Sequence, residues 1–271
     1  TKMKKILSLG IAAGMLVSAC AAYAYPTLAG PTGGLALPNA VVAPAGSFNV
    51  AADYDRTGKT GTEIGDTVPV RVVYGIAKGF ELGADYGFQK LGDENGNNWG
   101  VNLKYATPLK VAGFALAAGG LYNKTKVDVL AENLTATEFY LVGGTVLPLA
   151  GKSVNLSLGA NWTEGKAKIA GLEGKASGIR AAASVDAMLA SNLCLGLEYQ
   201  TAKKDLDAKP LSSIYARYAV TPMIAVQLGY TNAGLFNASD VTPAASGVVG
   251  ANTLGTSKHH LVAGLNFVFG K

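Results

Sequence analysis

Ser257 and His259 stand two residues apart, a spacing that puts a hydroxyl and an imidazole on one face of an extended strand, the least that a hydrolytic site requires. No Gly-x-Ser-x-Gly elbow accompanies them, and we read the pair as incidental. The only histidines, His259 and His260, are adjacent and so point to opposite faces of a strand, which leaves no metal-ligand spacing. Gly58-Lys59-Thr60 and Gly151-Lys152-Ser153 look like the end of a phosphate loop, but its first glycine would fall on Asp53 or Val146. The acidic pairs Asp93-Glu94 and Asp205 with Asp207 read as solvated loop charges, with weak Ca²⁺ binding the lesser reading. No catalytic residue, cofactor, metal or enzymatic activity is expected.

Charge is scarce and placed with care. Charged residues make up 15% of the chain, against about 25% in average soluble domains, and there are 35 glycines. The formal net charge of +5 includes Lys2, Lys4 and Lys5 at the head of the chain, which leaves about +2 for the rest. No clustered basic face exists, so nucleic acid is not an expected partner.

The remaining charges only make sense on the elements that carry them. From Glu81 to Gln89, Leu82, Ala84, Tyr86 and Phe88 alternate with Glu81, Gly83, Asp85, Gly87 and Gln89, so that one face suits lipid and the other water. The segments Val154 to Trp162 and Leu193 to Gln200 repeat the pattern, and a helical period fits none of the three. Strands are predicted at 47–55, 67–77, 80–89, 98–107, 113–123, 137–148, 153–163, 178–190, 192–202, 212–221, 223–233 and 258–269. The gaps between them alternate tight and long: Lys78-Gly79, Pro108 to Ala112, Leu149 to Lys152, Ser191 and Pro222 are the tight ones. An even number of about 12 strands with short turns at one end and long loops at the other predicts an all-β, transmembrane, antiparallel up-and-down β-barrel, its turns in the periplasm and its loops outside.

Aromatic residues give an independent test, because interfacial rings belong at strand ends on the lipid face. Tyr54, Phe88, Trp99, Tyr122, Phe139, Trp162, Tyr199 and Tyr230 fall at the loop end, and Tyr74, Phe80, Tyr105, Phe114, Tyr218, Phe267 and Phe269 at the turn end. With the apolar face outward, Asp53, Arg71, Glu81, Asp85, Lys104, Arg180, Asp186, Glu198 and Arg217 face the lumen, since an Arg or Lys in lipid at the midplane costs about 2–4 kcal/mol. Two readings of this set stay open: a pore wall that selects small polar or charged solutes, which we favour, and a closed interior held by mutual ion pairs. Gly83, Gly87, Gly100, Gly159, Gly196, Gly229 and Gly264 remove bulk from the same wall and favour an opening, against the readings that they ease curvature and tight strand packing or that the arm fills the lumen. Ala115, Ala117, Gly119 and Leu121 form an inward apolar stripe, with Ala182, Ser184 and Asp186 only partly polar, and packing against the N-terminal arm is favoured over a hydrophobic ligand.

The head of the chain reads as an export signal: lysines at 2, 4 and 5, an apolar run from Ile6 to Val17, then small residues. Ala22-Tyr23-Ala24 fits a signal-peptidase site that would leave Tyr25 first, and this is favoured over Val17-Ser18-Ala19-Cys20, which resembles a lipobox and would put lipid on Cys20. Residues 1–24 are therefore expected to be a signal peptide, residues 25–46 a Gly/Pro-rich arm or partial plug, and residues 47–271 the barrel. Cleavage at Ala24 leaves Cys194 without a partner for a disulfide.

Two resemblances follow. Gly264-Leu265-Asn266-Phe267-Val268-Phe269 resembles the C-terminal signal that the barrel assembly machinery reads in outer-membrane proteins, which implies Gly264, Phe267 and Phe269 as its recognised positions. Gly30-Pro31-Thr32-Gly33, Pro38-Asn39-Ala40 and Ala43-Pro44-Ala45-Gly46, about twenty residues in all, resemble the start of some bacterial outer-membrane barrel proteins, including the YjbH-like group linked to exopolysaccharide export. The expected protein is a porin-like barrel in the outer membrane, with lipid around it and a small polar solute passing through; the rival is a non-conducting, anchoring barrel tied to polysaccharide export.

Overall fold

Alternation of side chains is meaningful only if every strand has a neighbour on both sides, and in the computed structural model each one does. The structure describes residues 25–28, 30–57, 65–91, 94–109, 113–127, 132–169, 172–202, 210–232 and 260–270. Within them lie twelve strands: β1 (Phe48–Thr57), β2 (Gly65–Ala77), β3 (Phe80–Leu91), β4 (Glu94–Pro108), β5 (Phe114–Val127), β6 (Glu132–Leu149), β7 (Lys152–Ile169), β8 (Leu172–Ala190), β9 (Leu193–Gln200), β10 (Leu211–Thr221), β11 (Ile224–Thr231) and β12 (His260–Phe269). Each pairs antiparallel with its sequence neighbours, and β1 closes the cylinder on β12 from Phe48↔Phe269 to Thr57↔His260. Closure satisfies every edge, which is what allows a sheet to stand in hydrocarbon. The Ala150-Gly151 connection has positive φ at both residues, 48° and 74°, as the two-residue turn between Leu149 and Lys152 requires.

The strand count and order match the sequence reading; the loop end does not. Long loops are expected after β3, β5 and β7, whereas the ladders there continue to Leu91↔Glu94, Val127↔Glu132 and Ile169↔Leu172. β6, β7 and β8 reach 18, 18 and 19 residues, against 8 for β9 and β11, so one side of the barrel stands taller. Above the aromatic level the outward positions turn polar, so the apolar alternation stops while backbone pairing continues. Glu164 illustrates this: its carboxylate meets Lys166 at 3.0 Å and Lys175 across the ladder at 2.8 Å. Glu94 opens β4 instead of lying in a loop, while Asp93, Asp205, Asp207, Ser257, His259 and residues 1–24 with Cys20 lie outside the described residues.

Outward residues form an apolar belt between two rings of aromatics. At the turn end Phe48 packs near Tyr74 and Phe80 on Tyr105, with ring centroids 6.4 and 4.4 Å apart; at the loop end Trp99 meets Tyr122 at 5.6 Å and Phe139 stacks on Trp162 at 5.8 Å. Tyr54, Phe88, Phe114, Tyr199, Tyr218, Tyr230, Phe267 and Phe269 are likewise exposed on this face, and Tyr86 joins Phe88 at 4.9 Å.

The inward glycines do not open the lumen, contrary to the favoured sequence reading and in keeping with its alternative of tight strand packing. Each lies directly across the ladder from, or beneath, a larger inward side chain that folds over it: Asn102 over Gly83, Asn98 over Gly87, Val142 over Gly159, Tyr215 over Gly196 and Asp53 over Gly264. Leu35 of the arm fills the space at Gly229. These glycines are sockets, and a side chain placed in one must displace its occupant. Gly196→Val is expected to lower unfolding stability by about 1–3 kcal/mol, as overpacking does. Gly143→Ala, whose new Cβ would meet nothing closer than 3.9 Å, should be neutral within about 0.5 kcal/mol in the same urea titration followed by heat-modifiable gel migration.

Candidate functional site

Residues 25–46 cannot form a strand, because prolines at 26, 31, 38 and 44 each remove a backbone donor, yet their polar groups need partners wherever the segment is buried. Part of that need is met internally. The amides of Thr27, Leu28, Gly33 and Gly34 donate to the carbonyls of Pro31, Leu35, Tyr25 and Leu37 at 2.8–2.9 Å, which folds the arm into successive tight turns. Where the arm meets β1, Gly46 (φ 79°) donates to Gly75 O and Ser47 to Pro44 O, so the chain bends back into the barrel at the turn end. Tyr25, Thr27, Thr32, Leu35 and Ala43 are fully buried there.

The rest of the need is met by the charged wall. Glu81 accepts from the Thr32 amide at 2.9 Å, the Thr32 hydroxyl at 2.7 Å and the Ala43 amide at 2.8 Å. Lys104, 3.8 Å from Glu81, donates to Thr32 O at 2.6 Å, to the Thr32 hydroxyl at 2.9 Å and to Val41 O. On the opposite wall Glu198 accepts from the amides of Ala36 and Leu37 at 2.9 and 3.0 Å. Arg217 donates to Gly33 O at 2.9 Å and Gly34 O at 2.6 Å, with its guanidinium 4.5 Å from the Tyr25 ring and 4.6 Å from that of Tyr215. Arg71 pairs with Asp53 and donates to Thr27 O at 3.0 Å. Carboxylates therefore hold arm N–H groups and cations hold arm carbonyls, and charge-assisted bonds of this kind are the strong ones.

Apolar contacts complete the seat. Leu28 and Leu35 pack with Tyr215 and Val262, Tyr25 with Ala51 and Ala225, and Ala40 with Ala106 and Ala117, flanked by Val42 and Ala115. Ala115 and Ala117 of the β5 stripe thus rest against the arm, whereas Gly119 lies under Tyr140. Leu37 and Pro38 face Ala182 and Ser184 of β8 across a small gap.

All nine charged residues assigned to the lumen point inward. Asp53, Arg71, Glu81, Asp85, Lys104, Glu198 and Arg217 are buried; Arg180, which donates to Thr201 O at 2.9 Å, and Asp186, which accepts from Tyr215 and from Asn155 at 3.3 Å, are half-buried. Five of them, Arg71, Glu81, Lys104, Glu198 and Arg217, bond the arm directly, so it is this segment that holds their polar groups. Sequence reasoning missed the inward aromatics Tyr25, Tyr140 and Tyr215 and the polar links Gln227 to Arg217 and Gln200 to Asn161. Tyr215 was detectable, since it stands two residues from Arg217 and so shares its face. Gly264 lies inward under Asp53, and Phe267 and Phe269 lie outward at the turn end. Cys194 is buried and forms no disulfide among the described residues.

No family model matches the chain, and no curated protein matches it either. Among solved structures it is similar to an outer-membrane channel from Pseudomonas putida F1, at 12% identity over 87% of this chain and 100% of that one, with a TM-score of 0.53. It is also similar to the NanC porin, at 15% identity over 81% of this chain and 98% of the other, with a TM-score of 0.51. At such identities the likeness is one of fold, and it agrees with the apolar belt and the two aromatic rings: the chain has the fold of a bacterial outer-membrane β-barrel, here with twelve strands and its own N-terminal arm inside the lumen.

Proposed function

We propose that the protein is an outer-membrane channel for small hydrophilic solutes whose closed state is maintained by residues 25–46. The observation that carries this is the chemistry of the wall beneath the arm. A barrel that needed only a filled interior would be served by apolar packing, since replacing buried ion pairs by hydrophobic groups is often neutral or stabilising. Here the lumen presents Glu81, Lys104, Glu198, Arg217, Arg71 and Asp53 together with Asn49, Asn98, Asn102, Asn123 and Asn266, a surface that water and polar solutes can wet once the arm is withdrawn. Walls bearing both signs favour small polar or zwitterionic solutes over strongly charged ones.

Planar-bilayer recording tests this. The intact protein is expected to rest near the baseline, and a variant lacking residues 25–46 to conduct in discrete, long-lived steps. Absence of stepwise conductance in the deletion variant, with heat-modifiable migration showing a folded barrel, would favour the anchoring barrel instead.

A further inference from the structure

Three adjacent strands carry a cluster of inward oxygen-bearing side chains that the arm's anchoring does not use. In one row of inward positions Asp85 (β3), Gly100 (β4) and Asn123 (β5) stand side by side; in the next row toward the loop end are Gly87, Asn98 and Thr125. The two glycines matter because a Cβ on Gly100 would collide with both Asp85 Oδ1 and Asn123 Oδ1, and one on Gly87 with Asn98 Oδ1. Asp85 and Asn123 oxygens therefore meet over Gly100, and the Asn98 oxygen occupies the neighbouring socket of Gly87. Asn98 is tied to this group through Nδ2, 3.4 Å from Asp85 Oδ2. Asp85, Asn98, Asn123 and Thr125 are all more than nine-tenths buried, and Asp85 Oδ1, Asn98 Oδ1, Asn123 Oδ1 and Thr125 Oγ1 have no hydrogen-bond partner within the protein. On the lumen side Gly30 of the arm closes over them, its α-carbon so placed that a Cβ would lie 3.3 Å from Asp85 Oδ1 and against Asn102.

Buried oxygen atoms left without donors in a native protein require an explanation, and a set made of one carboxylate, two amide carbonyls and a hydroxyl has the composition of a hard-cation site. We infer that Asp85, Asn98, Asn123 and Thr125 form a binding site for a hard divalent cation such as Ca²⁺ within the barrel wall. Arg71 stands opposite Asp85 in the β2–β3 ladder, where it pairs with Asp53 and donates to Thr27 O through Nη1 while its Nε has no partner. With a single carboxylate and that neighbour, affinity falls in the weak range, about 0.1–1 mM. Nothing in this site depends on whether the barrel conducts.

The test uses the intact folded protein in detergent. Calorimetric titration with Ca²⁺ is expected to show one saturable site per barrel, and Tb³⁺ to give emission sensitised through Trp99, which lies between Asn98 and Gly100 in β4. Asp85→Ala should abolish both signals and Asn123→Ala should weaken Ca²⁺ at least fivefold, with Asp186→Ala unchanged; heat-modifiable migration reports folding of each. Should Asp85→Ala fail to fold, Asn123→Ala and Asn98→Ala carry the test. No saturable Ca²⁺ uptake by the native protein, or native affinity in the folded variants, overturns the site.

Discussion

Replacing Glu81 and Glu198 together with alanine is expected to open the barrel while every residue of the arm remains in the chain. The two carboxylates accept five hydrogen bonds from the arm: three at Glu81, from Thr32 and Ala43, and two at Glu198, from Ala36 and Leu37. A hydrogen bond to a charged group contributes about 1.5–3 kcal/mol, and moving a two-state equilibrium from 1:99 to 99:1 takes about 5.5 kcal/mol. Loss of all five bonds is therefore sufficient to reverse the balance, even with Arg71, Lys104 and Arg217 still holding arm carbonyls. Release also lets water reach Lys104, whose charge loses its carboxylate partner Glu81 in the double variant. Open probability in bilayers should rise from near zero to most of the record, and residues 25–46 should become sensitive to added protease. The Gln versions keep an acceptor oxygen at each position and should shift the equilibrium less. A double alanine variant that stays quiet, with its arm still protected, would mean that the apolar seats of Leu28, Leu35 and Ala40 hold the arm without help from the carboxylates.

The barrel was legible in the sequence because its determinants are local. Leu82 next to Gly83 and Glu81 reports its facing without reference to any other strand, and twelve such segments leave one architecture. The height of the wall was not legible. Above Trp162 the outward positions Glu164, Lys166 and Lys175 are polar instead of apolar, so the alternation stops although they sit in a continuous ladder. The inward charges could be placed on the lumen side from the cost of a charge in lipid, but their partners could not be read. Residues 25–46 have no period, and their hydrogen bonds to the charged wall span from 38 positions (Ala43 with Glu81) to 184 (Gly33 with Arg217). Glycine was ambiguous for a related reason. Gly196 looks like missing bulk along its own strand, and only the β9–β10 register shows Tyr215 lying across it.

Leu158→Arg is expected to be the most damaging substitution on the outer face. Leu158 is 70% exposed, at mid-height on β7, four residues below Trp162 of the loop-end aromatic ring. At about 3.3 Å of rise per residue, shortened by strand tilt, it lies roughly 10 Å inside the apolar belt, beyond easy reach of a guanidinium to the interface. The cost at such depth is about 2–4 kcal/mol. The same strand supplies its own control, because Lys166 projects from the same face four residues above Trp162 and is tolerated there, paired with Glu164. Lys166→Leu should accordingly change stability by less than about 0.5 kcal/mol, while Leu158→Arg should shift the urea midpoint in lipid vesicles by the full penalty. Equal effects at the two positions would contradict the assignment of Leu158 to the hydrocarbon and of Lys166 to water, and with it the level of the membrane on this barrel.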